Sequence, residues 1–337
     1  PLVWSVCISH RTVIATPTEM PTPGARYIDM GAWSSGPTVG FQVARQSAQF
    51  LLGHTVSSAG DVNADGYADL ICGTPYGEVL GRGGNTGGAF IIFGKLGGIN
   101  ADIDTATAAL NGVDGIRIYG EADTTFSHSV AAAGDVNGDG IDDVIIGAVF
   151  YNPSSRFHAG MAVILFGKRS GWGDIDMMSF ATADDLGFRV FGNAALGELG
   201  GKVSSAGDVN NDGFADFLLT SKTESPSGRT NAGKAFIFLG HNFTSSFSDI
   251  DLNSYTFTSA SGFEIWGAVA ENKLGSDFTG GFDLNSDSFS DVAVATDQGT
   301  VYVIFGKDAP FTTVNLADGM VDYEGFEIST ATDVTLS

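Results

Sequence analysis

Basic residues are scarce in this chain of 337 residues: 16 Lys and Arg stand against 39 Asp and Glu, for a formal net charge of −23. So acidic a surface repels a phosphate backbone, which argues against a nucleic-acid partner and favours cations. Cysteine is almost missing. Cys7 and Cys72 are the two present, and so small an even count decides nothing about redox compartment, with free thiols favoured over a disulfide. No segment approaches the roughly 18 to 20 uninterrupted apolar residues of a membrane span, so direct membrane insertion is not expected. The first residues also lack the charged-then-apolar order of a signal peptide. Amphipathic helical periodicity is absent. No zinc-protease, nucleophile-elbow or phosphate-loop motif accompanies the five histidines, and no enzyme activity is expected.

Glycine is the opposite case, with 47 residues. Together with abundant Ser, Thr, Asn and Asp it supplies the turns of short antiparallel strands. A repeat organises these turns. The segment Ala-Gly-Asp-Val-Asn-x-Asp-Gly begins its Asp at Asp61, Asp135 and Asp208, with a degenerate copy at Asp283, at spacings of 74, 73 and 75 residues. Three further markers keep the same phase. One is a strand start at Gly40-Phe41, Gly115-Ile116, Gly187-Phe188, Gly262-Phe263 and Gly325-Phe326. The second is an apolar run ending in Phe-Gly-Lys or similar at 89–95, 162–168, 235–240 and 301–307. The third is Asp-Ile-Asp near Asp102, Asp174 and Asp249, echoed at Tyr27-Ile28-Asp29.

Each period carries four short strands, for example 129–133, 143–147, 161–166 and 188–191. Small sheets repeated at this interval bury their faces against one another only by radial stacking, so the fold class expected is all-β, a β-propeller of four-stranded antiparallel blades. Four blades are complete and one is partial. The fourth repeat supports the division. From the last Asp of the motif to the Phe of the apolar run takes 24, 23 and 22 residues in the first three repeats (Asp69–Phe93, Asp143–Phe166, Asp216–Phe238) but 14 in the fourth (Asp291–Phe305). Markers on both sides survive, so a loop has been replaced by a tight Asp297-Gln298-Gly299 hairpin.

The motif itself places oxygen-bearing side chains at positions 1, 3, 5 and 9. They are Asp61, Asn63, Asp65, Asp69; Asp135, Asn137, Asp139, Asp143; Asp208, Asn210, Asp212, Asp216; and Asp283, Asn285, Asp287, Asp291. Calcium takes six to eight hard oxygens at roughly 2.3 to 2.6 Å, and alternate residues of a curled loop turn their oxygens inward. Position 7 is expected to add its carbonyl, from Tyr67, Ile141, Phe214 and Phe289. Gly66, Gly140 and Gly213 permit the left-handed backbone such a curl needs, and Ser288 in their place makes the fourth of four expected Ca2+ sites the weakest. Four ions would bring −23 to about −15. At 10 to 100 times its dissociation constant, each would stabilise the fold by about 1.4 to 2.7 kcal/mol.

These residues resemble the FG-GAP repeat, the unit of the β-propeller at the head of integrin α subunits and of many bacterial secreted and surface proteins. The resemblance covers residues 40–330. The calcium loop carries it most specifically. The name-giving positions are only partly kept: Leu52-Gly53, Phe126-Ser127, Leu199-Gly200 and Leu274-Gly275 for the first, and Gly73-Thr74-Pro75, Gly147-Ala148-Val149, Thr220-Ser221-Lys222 and Ala295-Thr296-Asp297 for the second. The resemblance implies that the calcium loop joins the first and second strands, which sets blades at 46–120, 121–192, 193–267 and 268–330. Residues 1–45 would then hold the last strands of a preceding blade, its third strand at 3–8, or an N-terminal extension, and 331–337 would begin a following segment. Propellers of this type usually have seven blades, so the chain is expected to be a piece of a larger propeller or to be completed by other chains.

The resemblance further implies an extracellular or cell-surface adhesion or assembly module that binds a protein or glycan ligand, or neighbouring chains. Its ligand face would be the loops joining second and third strands, at 75–87, 149–160 and 221–233, with Tyr76, Arg82, Tyr151, Arg156, His158, Lys222 and Arg229. Two alternatives stay open: a non-catalytic propeller of a larger secreted enzyme, such as a phospholipase that cleaves glycosylphosphatidylinositol anchors, and a glycan-binding, lectin-like propeller. Asn242-Phe243-Thr244 is the one glycosylation sequon, expected to be exposed and modified if the chain is secreted by a eukaryote.

Overall fold

The computed structural model describes residues 43–44, 52–77, 82, 84–96, 103–104, 110, 112–180, 186–242, 248–308, 310–319 and 325–329. Cys7, His10, the expected strand at 3–8 and the Gly40-Phe41 marker lie outside these residues.

The described chain is all-β, and its strands form blade-like sheets in sequence order. The first contains β2 (Thr55–Gly60), β3 (Asp69–Thr74), β4 (Gly88–Ile92) and β6 (Gly115–Tyr119), each antiparallel to the next. The second contains β7 (Phe126–Gly134), β8 (Asp143–Ala148), β9 (Met161–Leu165) and β11 (Gly187–Phe191). The third contains β12 (Val203–Gly207), β13 (Asp216–Ser221), β14 (Lys234–Phe238) and β16 (Gly262–Trp266). The fourth contains β17 (Asp277–Phe282), β18 (Asp291–Ala295), β19 (Val301–Ile304) and β21 (Gly325–Ile328).

The first strands β2, β7, β12 and β17 lie side by side in that order. Alternation along each strand sends successive side chains to opposite faces, so a middle sheet feeds two cores. Val144 and Ile146 pack toward the first sheet, with Ile71, Ile91 and Ile118. Ile145 and Ile164 pack toward the third, with Phe217, Leu219 and Phe236. A further core joins the third and fourth sheets through Leu218, Ile237, Phe263, Val292 and Ile304. Burial on both faces explains why β8, β9, β13 and β14 read as continuous apolar runs. The outer face of the fourth sheet has no such cover among the described residues. Phe326 and Ile328 are 37% and 55% exposed, where their counterparts Phe263 and Ile265 are 2% and 0% exposed.

The expectation of four strands per blade needs one correction. The first three sheets each have a fifth strand, two residues long and parallel to the fourth, supplied by the following repeat. These straps are β10 (Ile175–Asp176) on β6, β15 (Ile250–Asp251) on β11 and β20 (Val314–Asn315) on β16. The first two are the Asp-Ile-Asp marker. The same pairing joins β1 (Val43–Ala44) to β5 (Ile103–Asp104). A sheet's outer strand would otherwise leave its backbone groups unpaired, and the strap satisfies part of that edge. A smaller correction concerns the third repeat: Gly240 stands where Gly94 and Gly167 stand, because all three donate to the ninth loop residue, so Leu239 rather than Phe238 is the counterpart of Phe93 and Phe166.

Candidate functional site

Each motif loop joins the first strand of its sheet to the second, and the four loops share one conformation. The first carboxylate of each accepts from the N–H groups of positions 5 and 6. Asp135 receives Asp139 at 3.1 Å and Gly140 at 2.8 Å, and Asp61, Asp208 and Asp283 repeat this. The Asn at position 3 accepts from the N–H of position 5 and donates its amide to that residue's carboxylate. The position-5 carboxylate then accepts from position 7. Position 6 is left-handed in every loop, at φ 91° for Gly66, 81° for Gly140, 91° for Gly213 and 77° for Ser288. Only Ser288 carries a Cβ there. Ser288→Gly is therefore expected to stabilise the fold by about 1 kcal/mol in chemical denaturation. A loss of stability would show that no strain resides there. Position 4 is left-handed as well, in Ala64, Gly138, Asn211 and Ser286, a requirement that its varied residue types hid.

The ninth residue differs from the rest because it is buried. Asp69 is 4% exposed, and Asp143, Asp216 and Asp291 are 0% exposed. One oxygen accepts from position 2 of the same loop, the other from the glycine two residues past the third strand. For Asp143 these are Val136 at 3.0 Å and Gly167 at 2.8 Å, and the other three repeat the pattern. Among the described residues no cation pairs with any loop carboxylate. Burial, and secondarily the negative charge of positions 1 and 5, pushes the carboxyl of Asp69 up to about 6 and those of Asp143 and Asp216 to about 8, against the pull of the two N–H groups.

The loops are also joints between sheets. Lys168, His241 and Lys307, each just past the third strand of the next sheet, donate N–H to the position-2 carbonyls of Val62, Val136 and Val209 at 2.9, 3.1 and 2.9 Å. Asp61 N–H donates to the Asp142 carboxylate, and Asp208 N–H to the Ser290 hydroxyl. A Cβ on Gly60, Gly134 or Gly207 would meet side-chain atoms of Asp142, Ala215 or Ser290 at 2.4, 2.7 or 2.3 Å, and all three glycines are left-handed, at φ 78°, 78° and 77°. This is the reason for the glycine of Ala-Gly-Asp. Val62, Val136 and Val209 are accordingly 1%, 0% and 2% exposed, while Leu284 in the fourth loop is 54% exposed.

The donor set of each loop consists only of carboxylate, amide and carbonyl oxygens, which is calcium's preference. A buried carboxylate without a cation is also the kind of group that a divalent ion compensates. Among the described residues, no group of three or more His, Cys, Asp or Glu side chains converges as it would around an ion. The oxygens of positions 1, 3 and 5 are folded onto the loop's own N–H groups.

The second-to-third-strand loops leave each sheet at the end opposite the motif loops. Arg82, Arg156 and Arg229 do not stand free there. Each donates to the carbonyl just past the outer strand, of Gly120, Gly192 and Gly267, and to the strap of the next repeat, at Asp176, Asp251 and Asn315. Arg82 holds the Asp176 carboxyl below the usual carboxylate range. Tyr151 stacks on Phe191 at 5.7 Å. His158 lies between Phe157, at 3.7 Å, and Phe150, at 4.4 Å. Tyr76 is 37% exposed and meets the His54 ring edge-on, and Lys222 is half-buried. Asn242 is exposed, while Phe243 and Thr244 of its sequon lie outside the described residues. Cys72 is buried in β3, which pushes its thiol up to about 11.

Three of these sheets, joined through their acidic loops, coincide with FG-GAP repeats in the sequence. The FG-GAP repeat family matches residues 52–92, 126–165 and 200–238. The chain is similar to integrin alpha-PS2 of Drosophila melanogaster, 28% identical over 260 residues, which is 76% of this chain and 16% of the relative. It is also similar to integrin alpha-7 of Rattus norvegicus, 30% identical over 162 residues (48% of this chain, 12% of the relative). With integrin alpha-IIb of Homo sapiens it shares 32% identity over 160 residues (45% and 14%). The matched part is thus under one fifth of each relative's length.

Proposed function

We propose that this chain is a calcium-stabilised segment of an FG-GAP β-propeller that serves adhesion or assembly outside the cell or at its surface, as a binding scaffold rather than an enzyme. The supporting observation is the repeated buried carboxylate at position 9, uncompensated by any described cation and placed where one sheet's loop is bonded to the next sheet. Calcium held by positions 1, 3, 5 and 9 and the carbonyl of position 7 would neutralise it and stiffen the joint. The units would be 46–120, 121–192, 193–267 and 268–330, and integrin-like relatives favour a macromolecular ligand or neighbouring chain over a small substrate. The loops at 75–87, 149–160 and 221–233 would carry the ligand face, with Tyr76, His158 and Lys222 better placed than the three clamped arginines. Asn242 would accept a glycan in a eukaryotic secretory pathway.

Thermal unfolding in calcium, in magnesium and in chelator tests this reading. The midpoint is expected to rise with calcium well beyond magnesium, and the rise is expected to shrink stepwise in Asp65→Ala, Asp139→Ala and Asp212→Ala. An equal midpoint in all three conditions would reduce these loops to ordinary turns.

A further inference from the structure

His54 and His128 occupy the same place in successive repeats, seven residues before the motif Asp, where the next two repeats have Gly201 and Ser276. Their ring centroids are 5.8 Å apart with planes inclined at 51°. His128 Nδ1 faces the carbonyl of Gly201 at 3.3 Å. A carbonyl only accepts, so Nδ1 carries the proton and Nε2 of the neutral ring keeps its lone pair, the arrangement that prepares an imidazole for a metal. His54 is exposed and lines an open cavity of about 410 Å³ along the first strands, together with Thr55, Ser57, Lys202, Ser204 and Asp277.

We propose that His54 and His128 form a two-imidazole site for a borderline transition-metal ion, zinc or copper(II), beside this cavity and separate from the acidic loops. A metal–nitrogen bond is about 2.0 to 2.1 Å and the ring centre lies about 1.1 Å further on, so two rings sharing a tetrahedral ion stand about 5 to 6 Å apart. The observed separation already meets this. Imidazole nitrogen selects zinc and copper over calcium and magnesium. Burial, followed by Lys202, pushes His54 below its ordinary value. His128 is likewise lowered, by burial first and then by His54, Lys222 and Lys202, against the Gly201 bond. Both rings are therefore neutral, the ligating form, at neutral pH. The Lys202 ammonium would oppose a cation, but it is paired with Asp277 at 3.5 Å. No third His, Cys, Asp or Glu completes the group among the described residues, so water fills the other positions and the ion exchanges freely.

The test is titration of the calcium-saturated protein with Zn2+, followed calorimetrically, beside proton NMR of the histidine rings during addition of Cu2+. One zinc equivalent is expected beyond the calcium complement. Its affinity should fall by about tenfold or more in His54→Gln and in His128→Gln, and stay unchanged in His158→Gln. The His54 and His128 ring resonances of the unsubstituted protein should broaden first, a readout that does not depend on any variant folding. Undiminished zinc affinity in folded His54→Gln and His128→Gln, or broadening that spares both rings, would overturn the assignment. The ring resonances and the His54 and His128 variants report on the imidazoles alone, so this part of the test stands whether or not the acidic loops bind calcium.

Discussion

Asp143→Ala is expected to be the most damaging single change in its motif loop, and to damage the protein even without calcium. Its carboxylate accepts from two N–H groups, of Val136 and Gly167, in a fully buried site. Truncation leaves both donors without an acceptor, at about 1 to 3 kcal/mol each. Asp139, at the exposed position 5, accepts only from within its own loop, from Ile141 and Asn137. Asp139→Ala should therefore be nearly silent in chelator and lose only the calcium increment, whereas Asp143→Ala should lose stability in both conditions. Urea denaturation of the two variants, with and without calcium, measures this. Equal stability of the two in chelator would refute the anchoring role of position 9.

The second large effect is an inverted dependence of stability on pH in metal-free protein. Unfolded carboxyls titrate near 3.9, whereas those of Asp69, Asp143 and Asp216 are pushed up to about 6, 8 and 8. Between these values the folded chain holds protons that the unfolded chain has released, so stability falls as pH rises. The contribution is fully present below about pH 4 and is lost through pH 6 and 8. His54 and His128, both lowered by burial, act in the opposite sense around their ordinary value of 6.5. With two of the carboxyls raised so far, the midpoint in chelator is expected to be higher at about pH 5 than at about pH 8, and calcium, which binds the ionised form, should flatten or reverse the trend. General repulsion in a chain of charge −23 has the same sign. The Asp143→Asn, Asp216→Asn double variant separates the two: its slope should flatten if the buried carboxyls are responsible, and an unchanged slope would assign the effect to repulsion alone.

The arginines show where sequence reasoning stopped short. Arg82, Arg156 and Arg229 stand out as cations in loops of an acidic chain, which suggested a ligand face. Their spacings are 74 and 73 residues, the same as those of the first three motif loops. A contact to one external ligand has no need to recur in every blade, but a contact between consecutive blades does. That periodicity was the available signal for the clamp. The outer strands carry a second one. Arg117 and Arg189 bind Asp174 and Asp249, directly before the straps, while the third repeat has Glu264 and Thr313 at these places and Lys234 pairs with Glu264 instead at 3.1 Å.

By itself the sequence determined the all-β class, the phase of four repeats, the loop shortened in the fourth and the oxygen set of each acidic loop. Those features rest on local backbone preference and a period of about 74 residues, both readable along one dimension. Tertiary structure alone decided that Asp-Ile-Asp belongs to the sheet before it, that the loop arginines are clamps, and that position 9 is buried while positions 1, 3 and 5 are not. It also decided that position 2 is sealed in three loops and open at Leu284. Each of these depends on which surface of a neighbouring repeat arrives beside a residue, and burial, desolvation and hydrogen-bond partners do not exist until it does.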